Sequence, residues 1–347
     1  MPEKINWGVI GSGGIARRRT IPEGLAVASN ARLAAVFDVN AAANQEVAVH
    51  FGARACSSLE ELLSSAVDAV YIATPVHLHC EQALAAIGAG KHVLCEKPLG
   101  LNVAEAERMA EAAVQAGVKL ATALMMRFIA QHQAARRMIA DGALGRPVLG
   151  RAQLSCWYPP MAGAWRQDPA LGGGGSLIDM GGHTIDLLEM FFGPVSQVSC
   201  FTANLAHNYA SEDSALAMLR FENGALGVVD AFFSIPDASS DNVLELYGTR
   251  GSIHARGTIG QASQGRMTAR LEGGRADYDA QQNRAGAGEI EISPPPVNPY
   301  RAEIEEFSQA ILDNRSPAVD AAAGIRSQRV LAACYESART GRAVSVL

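Results

Sequence analysis

The segment LIDMGGHTID, residues 177–186, contains a histidine with an aspartate on either side. In a helix, Asp179, His183 and Asp186 would lie near one face, because residues three and four apart are neighbours on a helix surface. One histidine and two aspartates can bind a metal ion, transfer a proton, or serve as polar residues of a structural helix. The segment alone leaves these three interpretations open, so the rest of the chain has to supply the context.

The composition restricts the class of protein. A chain of 347 residues predicts two domains, given about 150 residues per domain. With 48% hydrophobic and 18% charged residues, it has the balance of a folded, soluble protein and not of a disordered one. The formal net charge of -6 argues against a nucleic-acid-binding surface.

The cysteines and the N-terminus predict a compartment. Six cysteines are scattered without a CxxC pair or a metal-ligand spacing, so we interpret them as reduced thiols. The N-terminal MPEKINWGVIG continues into a strand pattern and shows no export signal. No stretch approaches the roughly 20 apolar residues that cross a bilayer. We therefore expect a cytoplasmic protein with no membrane partner.

The first 125 residues alternate between apolar strands and helical segments. The predicted strands are residues 5–10, 31–37, 69–73, 92–95 and 119–124. Asn40 can cap one intervening helix, and Ser57 or Ser58 can open a capping box with Glu60 or Glu61. Apolar strands alternating with helices predict a doubly wound α/β domain, whose parallel sheet is covered on both faces.

The pattern changes after residue 125. Short strands with turn signals begin near Val195, and in RFENGALGVV the pair Asn223 and Gly224 separates two apolar runs as in a β-hairpin. Two helices follow from about Tyr300 and Ala321. Residues 126–347 are thus predicted to form an α+β domain with a large, mostly antiparallel sheet, and its terminal helices can pack back on the first domain.

The first turn, GVIGSGGIA, has Gly11, Gly13 and Ala16 at the three positions of a G-x-G-x-x-G/A fingerprint. A strand precedes the turn, a helix follows it, and Asp38 ends the next strand, which is the context of a dinucleotide site. Gly11 permits the tight turn, and Gly13 leaves room for a pyrophosphate. Asp38 can hydrogen-bond the adenosine ribose and would repel the 2′-phosphate of NADP, so the sequence predicts NAD.

Polar residues also follow the later strands. Thr74 and Pro75 come after the third strand, Glu96 and Lys97 after the fourth, and Arg127 after the last. Ligands of open parallel sheets bind beyond the carboxyl ends of the strands. A lysine between glutamate and proline is also restricted in conformation, because proline limits the residue before it.

These motifs together resemble the Gfo/Idh/MocA family of nicotinamide-dependent oxidoreductases, which includes inositol dehydrogenases and glucose–fructose oxidoreductase. The resemblance covers essentially the whole chain and rests on GSGGIA, TPxxxH, EKP, WRQDPALGGGGSLIDMGGHTIDLL and NPYRAEIEEFSQAI. It implies a Rossmann domain followed by an α+β domain. It also implies hydride transfer between nicotinamide and a secondary alcohol or ketone of a sugar, polyol or related cyclic hydroxylated substrate.

The resemblance assigns roles to individual residues. Lys97 would sit beside the reacting hydroxyl carbon, and Asp179 and His183 would match the DxGxH motif, with the histidine as acid/base. Glu96 would face the nicotinamide ribose, and the bond before Pro98 would be cis.

The predicted catalytic residues are Lys97, His183 and Asp179. The predicted cofactor-binding residues are Gly11, Ser12, Gly13, Gly14, Ile15, Asp38, Thr74, Pro75, His79, Glu96, Lys97, Arg127, Trp165 and Arg166, of which the Trp-Arg pair comes from the second domain in some relatives. The predicted substrate-binding residues are Lys97, Arg127, Tyr158, Asp179 and His183.

Two departures from the family pattern stand out. Many relatives carry Asn after Thr-Pro, where this chain has Val76. The stretch WYPPMAGAWRQDPALGGG is similar to the 1,5-anhydrofructose reductase branch, but that branch tends to prefer NADP and lacks an aspartate at the Asp38 position. The first departure concerns the contact made by one loop, and the second concerns the cofactor.

The resemblance favours proton transfer for the opening segment, and no metal. A lysine and a histidine can manage the proton of an alcohol without a metal ion. Lys97 would stabilise alkoxide charge, His183 would accept the proton, and Asp179 would orient His183 or bind a substrate hydroxyl. Asp186, one turn further, is predicted to be structural. The glycines in residues 172–182 would cost helix stability, and we expect them to allow the backbone to approach a ligand closely.

Two other functions fit the same motifs. A glycosidase of this fold would recycle bound NAD, and a sensor would bind the dinucleotide without turnover. The expected partner is a small-molecule sugar or polyol, with no nucleic acid. The resemblance also implies a homo-oligomer, a dimer or tetramer, formed through an exposed sheet face of the second domain.

Overall fold

A computed structural model describes residues 4–261, 265–272, 280–281 and 288–346. Its contacts divide the chain into two compact units. The first contains the chain through Phe128 together with Gly163–Gly174 and Val297–Arg329, and the second contains Ile129–Ala162, Gly175–Pro296 and the chain from Val330 onward. The chain therefore passes between the units several times, and the first passage lies close to the predicted boundary at residues 125 and 126.

The strands of the described residues form two sheets. In chain order they are β1 Ile5–Ile10, β2 Ala31–Phe37, β3 Arg54–Ala55, β4 Ala69–Ile72, β5 His92–Glu96, β6 Leu120–Ala123, β7 Pro147–Ser155, β8 Val195–Ala203, β9 Ser214–Phe221, β10 Leu226–Phe232, β11 Val243–Gly248, β12 Gly251–Arg256, β13 Arg266–Leu271, β14 Glu289–Glu291 and β15 Val344–Ser345.

The helices lie between and after these strands. The α-helices are α1 Ala41–Phe51, α2 Leu59–Leu63, α3 His79–Gly88, α4 Val103–Ala116, α5 Ala130–Ala140, α6 Pro169–Gly172, α7 Gly182–Phe192, α8 Pro299–Leu312 and α9 Ala321–Thr340. Two further segments are wound as π-helix, Ala16–Leu25 and Leu177–Gly181, and short 3-10 turns span Val76–Leu78, Met125–Phe128, Trp165–Gln167 and Asp237–Ser239.

The first unit is built on a parallel sheet of six strands in the order β3-β2-β1-β4-β5-β6. This is the strand order of a doubly wound dinucleotide-binding domain. It confirms the predicted fold class of the first domain. Strand β3 was not predicted, because two residues are too few to leave a hydrophobic pattern.

Side-chain caps fix where the helices of this unit begin. Asn40 accepts a hydrogen bond from the Ala43 amide at 3.1 Å, and Ser58 accepts one from the Glu61 amide, also at 3.1 Å. Each cap satisfies an amide that has no partner inside its helix. Both caps were predicted, so the sequence positioned α1 and α2 correctly.

Apolar side chains cover both faces of the parallel sheet. One face packs against helix Ala16–Leu25 and α8, where the Phe307 ring lies 5.6 Å from the Trp7 ring. Trp7 also donates a hydrogen bond from Nε1 to Ser308 at 3.0 Å. The other face packs against α3 and α4. The C-terminal helix α8 is therefore part of the first unit's core.

The second unit is built on nine strands in the order β14-β13-β12-β11-β7-β10-β9-β8-β15. Neighbours are antiparallel except for β7 and β10, which pair in parallel, so the prediction of a mostly antiparallel sheet is confirmed. The predicted hairpin joins β9 to β10, with Gly224 at a φ of 85°. Strand β7 was not predicted, because Gly150 interrupts its pattern. A Cβ there would lie 2.9 Å from Leu188 and 3.1 Å from Phe192 of α7, so the glycine lets that helix pack on the sheet.

Across the part of the chain that the structure describes, no helix combines the length and the apolar character needed to span a membrane.

Candidate functional site

The glycine-rich turn after β1 has the geometry that the fingerprint requires. Gly11 has a φ of +83°, and a Cβ at this position would lie 2.8 Å from Thr74 Cγ2 and 2.9 Å from the backbone of Ala73. Gly14 has a φ of +38°, and a Cβ there would meet no atom within 4 Å, so the turn is open on that side. A side chain at Gly11 would therefore both strain the backbone and separate β1 from the loop after β4.

Asp38 at the end of β2 is tied to this turn. One carboxylate oxygen accepts the Gly13 amide at 2.9 Å, and the other accepts the Asn40 amide at 2.9 Å. Each oxygen of an ionised carboxylate can accept more than one hydrogen bond. Asp38 thus keeps acceptor capacity for ribose hydroxyls while it holds the turn, and the turn and its carboxylate fit a dinucleotide.

Ser12 and Ile15 lie in the same turn but differ from its glycines. The Ser12 side chain is buried and donates a hydrogen bond to Asn44 Oδ1 at 3.0 Å. Asn44 in turn donates to the Cys56 carbonyl oxygen at 3.0 Å. The Ser12 hydroxyl therefore anchors the turn to α1. Ile15 is half-buried and directly precedes the helix Ala16–Leu25.

The loop after β4 is fixed by Thr74 and His79. Thr74 donates from Oγ1 to Gln82 at 2.6 Å. His79 is buried, with Nδ1 2.9 Å from the Pro98 carbonyl oxygen and Nε2 2.8 Å from the Thr74 carbonyl oxygen. Burial lowers the pKa of His79, and a neutral ring can donate to only one of these two carbonyls. Both ring nitrogens face the protein backbone, so His79 joins the Thr74-Pro75 loop to the Lys97-Pro98 loop.

Glu96 at the end of β5 is half-buried among hydrogen-bond donors that the sequence did not indicate. Tyr71 of β4 donates to one carboxylate oxygen of Glu96 through a short hydrogen bond, and Thr20 donates to the Tyr71 hydroxyl at 3.0 Å. The Lys97 amide donates to the other carboxylate oxygen at 3.3 Å. Tyr71 could have been suspected, because it is the one residue of its buried strand with a polar group.

A second carboxyl group lies within the same buried region. Glu303 of α8 is 3% exposed, and burial together with the charge of Glu96 raises its pKa well above the usual value. Burial likewise raises the pKa of Glu96, while the Tyr71 hydrogen bond and the charges of Lys97 and Arg166 lower it. Like charges disfavour each other in a desolvated site. Both carboxyl groups are therefore shifted towards their protonated forms, Glu303 more strongly than Glu96.

Lys97 follows Glu96 directly, and the bond between Lys97 and Pro98 is cis, as the resemblance implied. Arg127 lies in the turn Met125–Phe128 after β6, and its amide donates to the Leu124 carbonyl oxygen at 3.0 Å. The carboxyl ends of β1, β2, β4, β5 and β6 thus carry predicted site residues at one edge of the first unit's sheet.

Trp165 and Arg166 belong to the first unit, whereas the resemblance placed such a pair in the second domain of some relatives. They form a 3-10 turn just before α6, and α6 contacts the turn Val76–Leu78 of the first unit. The Arg166 guanidinium lies 4.1 Å from the centre of the Trp165 ring, and its charge lowers the pKa of Glu96. This pair is therefore part of the surroundings of Glu96 within one unit.

In the second unit, Asp179 and His183 lie on one continuous helical segment. Asp179 is in the π-wound turn Leu177–Gly181, and His183 is in the first turn of α7. Both side chains are half-buried, whereas Asp186 is 1% exposed, which fits the structural role predicted for it. Within the described ranges, no group of three or more His, Cys, Asp or Glu side chains is arranged to hold a metal ion.

One of the glycines before this segment has a close protein neighbour: a Cβ at Gly175 would collide with the backbone carbonyl of Glu212. Tyr158, a predicted substrate residue of the same unit, packs its ring 4.9 Å from Phe233 and accepts a hydrogen bond from the Tyr209 hydroxyl at its backbone oxygen. Its ring is therefore held by protein contacts on one side.

Comparison with known proteins identifies the class. The family model described as an oxidoreductase family with an NAD-binding Rossmann fold matches residues 5–124, and the GFO/IDH/MocA C-terminal domain matches residues 132–254. The 1,5-anhydro-D-fructose reductase of Ensifer adhaerens is 32% identical over 344 residues, 98% of each chain. The chain belongs to the GFO/IDH/MocA family of NAD(P)-binding sugar oxidoreductases, enzymes that act on CH–OH groups.

Solved structures agree with this assignment. The aldose-aldose oxidoreductase of Caulobacter crescentus, solved with glycerol, superposes with a TM-score of 0.88 at 27% identity, over 99% of this chain and 100% of that one. A levoglucosan dehydrogenase solved with NADH and levoglucosan superposes with a TM-score of 0.86 at 25% identity, over 99% of this chain and 100% of that one. Both units of this chain therefore have the family's fold.

We predict that Tyr71→Phe weakens NADH binding at acidic pH. The substitution removes a hydrogen bond that lowers the pKa of Glu96, so this carboxyl would become protonated at a higher pH. Glu96 is predicted to accept a hydrogen bond from the nicotinamide ribose. The pH at which NADH affinity falls on acidification (the acidic limb of the pH profile) should therefore be higher in the variant than in the wild type. Fluorescence titration of NADH between about pH 5 and pH 8 measures it.

Thr20→Val is the matched control, because it removes the hydrogen bond to Tyr71 and leaves the one from Tyr71 to Glu96. Its acidic limb should move less than that of Tyr71→Phe. An unchanged limb in Tyr71→Phe would contradict the role assigned to Glu96.

Proposed function

We propose that the protein is an NAD-dependent oxidoreductase that transfers a hydride between nicotinamide and a secondary alcohol or ketone of a sugar, polyol or related cyclic hydroxylated compound. The observation that carries this proposal is the carboxyl edge of the first unit's sheet. It brings the Gly11 turn, Asp38, Glu96 and Lys97 to one edge of a parallel sheet, in a chain of a sugar-oxidoreductase family.

The chain's own residues would hold the dinucleotide and manage the proton. The glycine turn and Asp38 would bind the pyrophosphate and the adenosine ribose, and Glu96 would accept from the nicotinamide ribose. A bound nicotinamide supplies the acceptor or donor of the hydride. The Lys97 ammonium would hydrogen-bond the substrate oxygen and stabilise negative charge there.

His183 is assigned to the proton. A histidine titrates near neutral pH, so it can take the hydroxyl proton during oxidation and return it during reduction. Asp179 would orient His183 or bind a neighbouring substrate hydroxyl. These roles rest on the match of the DxGxH motif to the family and on the half-buried position of both side chains within their own unit.

The substrate class follows from the family and from polar residues of the chain. The relatives described above are named for 1,5-anhydro-D-fructose, aldoses and levoglucosan. Arg127 and Tyr158 are proposed to contact the substrate, and both offer groups that hydrogen-bond or stack on a hydroxylated ring. We therefore propose a cyclic polyol or sugar as substrate.

Lys97→Ala is expected to lower kcat/KM by about 100-fold or more, since it removes a charged group that stabilises the transition state. Absorbance of NADH would be followed with NAD or NADP against inositols, aldoses and keto-sugars. Lys91→Ala is the control, because the Lys91 ammonium donates to the backbone oxygen of Val67 at 2.9 Å elsewhere in the same unit.

The same assay separates the alternatives. Equal activity of Lys97→Ala and the wild type would contradict the assigned role. Hydrolysis of an aryl glycoside without net NADH would identify the NAD-recycling glycosidase. Tight NADH binding without turnover of any substrate would identify the sensor.

The preference for NAD is proposed from Asp38. Removing its negative charge in Asp38→Asn should reduce the ratio of kcat/KM with NAD to that with NADP by about tenfold, because the repulsion of the 2′-phosphate is lost. Asp68→Asn is the matched control: Asp68 also accepts a backbone amide, that of Asn6 at 2.8 Å, and lies before β4 at the other edge of the sheet. A wild-type enzyme that turns over only with NADP would overturn the preference.

A homo-oligomer, dimer or tetramer, is also proposed. Three apolar side chains on neighbouring strands are exposed, Phe201 at 70%, Leu216 at 44% and Met218 at 54%, and Phe201 pairs directly with Leu216 across β8 and β9. The double substitution of Leu216 and Met218 by Glu should convert the oligomer to single chains, measured by light scattering after size exclusion. Val114→Glu, at an exposed position of α4, is the control. A wild-type protein with the mass of one chain would contradict the proposal.

A further inference from the structure

Three consecutive backbone amides donate hydrogen bonds to one glutamate in the second unit. The Gly175 amide donates to both carboxylate oxygens of Glu212, and the Leu177 amide donates to Oε1, each at 3.0 Å. The Glu212 backbone oxygen accepts the amide between them, that of Ser176, at 3.0 Å. Tyr335 of α9 donates its hydroxyl to the same Oε1 at 2.9 Å. Glu212 therefore fixes the three residues at which the helical segment begins.

The residues that follow are the proposed proton-transfer pair. The Asp179 amide donates to the Gly175 carbonyl oxygen at 3.1 Å, so Asp179 lies in the first turn after the fixed amides. His183 lies one turn further on the same continuous segment. The first amides of a helix have no partner within it, so their outside acceptor determines where the helix starts. Any movement of residues 175–177 is passed along the helix to both side chains.

The surroundings of Glu212 leave it little freedom. Gly175 has no Cβ, and a methyl group there would collide with the Glu212 carbonyl. The next residue, Asp213, accepts the amides of Leu205, Ala206 and His207 at 2.7–2.8 Å. The Phe233 amide donates to the Asp213 carbonyl oxygen at 2.7 Å, which ties this position to the end of β10.

We propose that Glu212 is a positioning residue for the proposed reaction, and that Tyr335 holds its carboxylate in place. The hydrogen bonds that Glu212 accepts from residues 175–177 set the location of Asp179 and His183. Glu212 and Tyr335 themselves are not assigned any contact with the reacting atoms. This assignment rests on the proposed function for its effect on catalysis, but not for its effect on the segment itself.

The experiment compares variants that differ in what they offer to the amides. Glu212→Met has a side chain of similar length and no oxygen acceptor, so kcat should fall by about 10–100-fold, because small displacements of catalytic groups cost this much. Glu212→Gln keeps one amide oxygen for the Oε1 position, and its kcat should stay within about threefold of the wild type. The dissociation constant of NADH should stay within about twofold in both, because the residues assigned to the cofactor lie in the first unit.

Two variants of α9 form a matched pair. Tyr335→Phe removes the hydroxyl that donates to Glu212 and should lower kcat by about three- to tenfold. Ser337→Ala removes a buried hydroxyl of the same helix, which accepts the Cys200 amide at 3.0 Å, and should leave kcat unchanged. In Glu212→Met and Tyr335→Phe, a substrate deuterated at the reacting carbon should show a larger isotope effect, because hydride transfer becomes slower relative to the other steps. A purely structural role would lower thermal stability without changing this isotope effect.

Hydrogen exchange tests the segment without any substrate. The amides of Gly175 and Leu177 should exchange faster in Glu212→Met than in the wild type, and at the wild-type rate in Glu212→Gln. Should the wild type turn over none of the sugars, this result still supports the fixing of the segment, and only the proposed function fails. Unchanged exchange in Glu212→Met, or equal loss of kcat in the Gln and Met variants, would overturn the proposal.

Discussion

In a parallel sheet every strand ends at the same edge, and this constraint organises the first unit. The loops after β1, β2, β4 and β5 meet there although they are far apart in sequence. Gly11 lets the loop after β1 approach the loop after β4. Asp38 joins the loop after β2 to the loop after β1 by accepting the Gly13 amide. The edge is therefore a set of mutually restrained loops, and each one fixes polar groups of its neighbours.

In each unit a half-buried glutamate accepts several hydrogen bonds and so fixes the backbone or side chains around it. Glu96 accepts hydrogen bonds from Tyr71 of β4 and from the Lys97 amide, and its charge raises the pKa of Glu303 nearby. Glu212 receives amides from a helix start and the Tyr335 hydroxyl. Burying a carboxylate is unfavourable unless hydrogen bonds compensate it. The charged form of each carboxyl group is thus favourable only while its hydrogen-bond donors stay in place. This requirement restricts the positions of the donors around it.

The sequence predicted the features that depend on local pattern. The Gly11 turn, the caps Asn40 and Ser58, and the hairpin at Asn223 each require residues within a few positions of one another, and the structure contains all of them. The helical spacing of Asp179 and His183 is a local feature of the same kind.

The residues that hold the site were not predictable, because their partners are distant in sequence. Tyr71 and Glu96 are 25 residues apart, and Tyr335 and Glu212 are 123 residues apart. No local period or spacing reveals such pairs. Strand β7 was missed for a related reason: Gly150 breaks its alternation in order to admit side chains of α7, a helix that lies well beyond it in sequence.

His79 has a consequence for how ligand binding would be transmitted within the first unit. Its two ring nitrogens lie 2.8 and 2.9 Å from the carbonyl oxygens of Thr74 and Pro98, so the loops after β4 and β5 compete for the single N–H of one buried, neutral ring. A ligand that shifts either loop has to change the hydrogen bonding of the other. Affinity at one loop and the placement of Lys97 on the other are then linked by a coupling free energy, which acts equally in both directions.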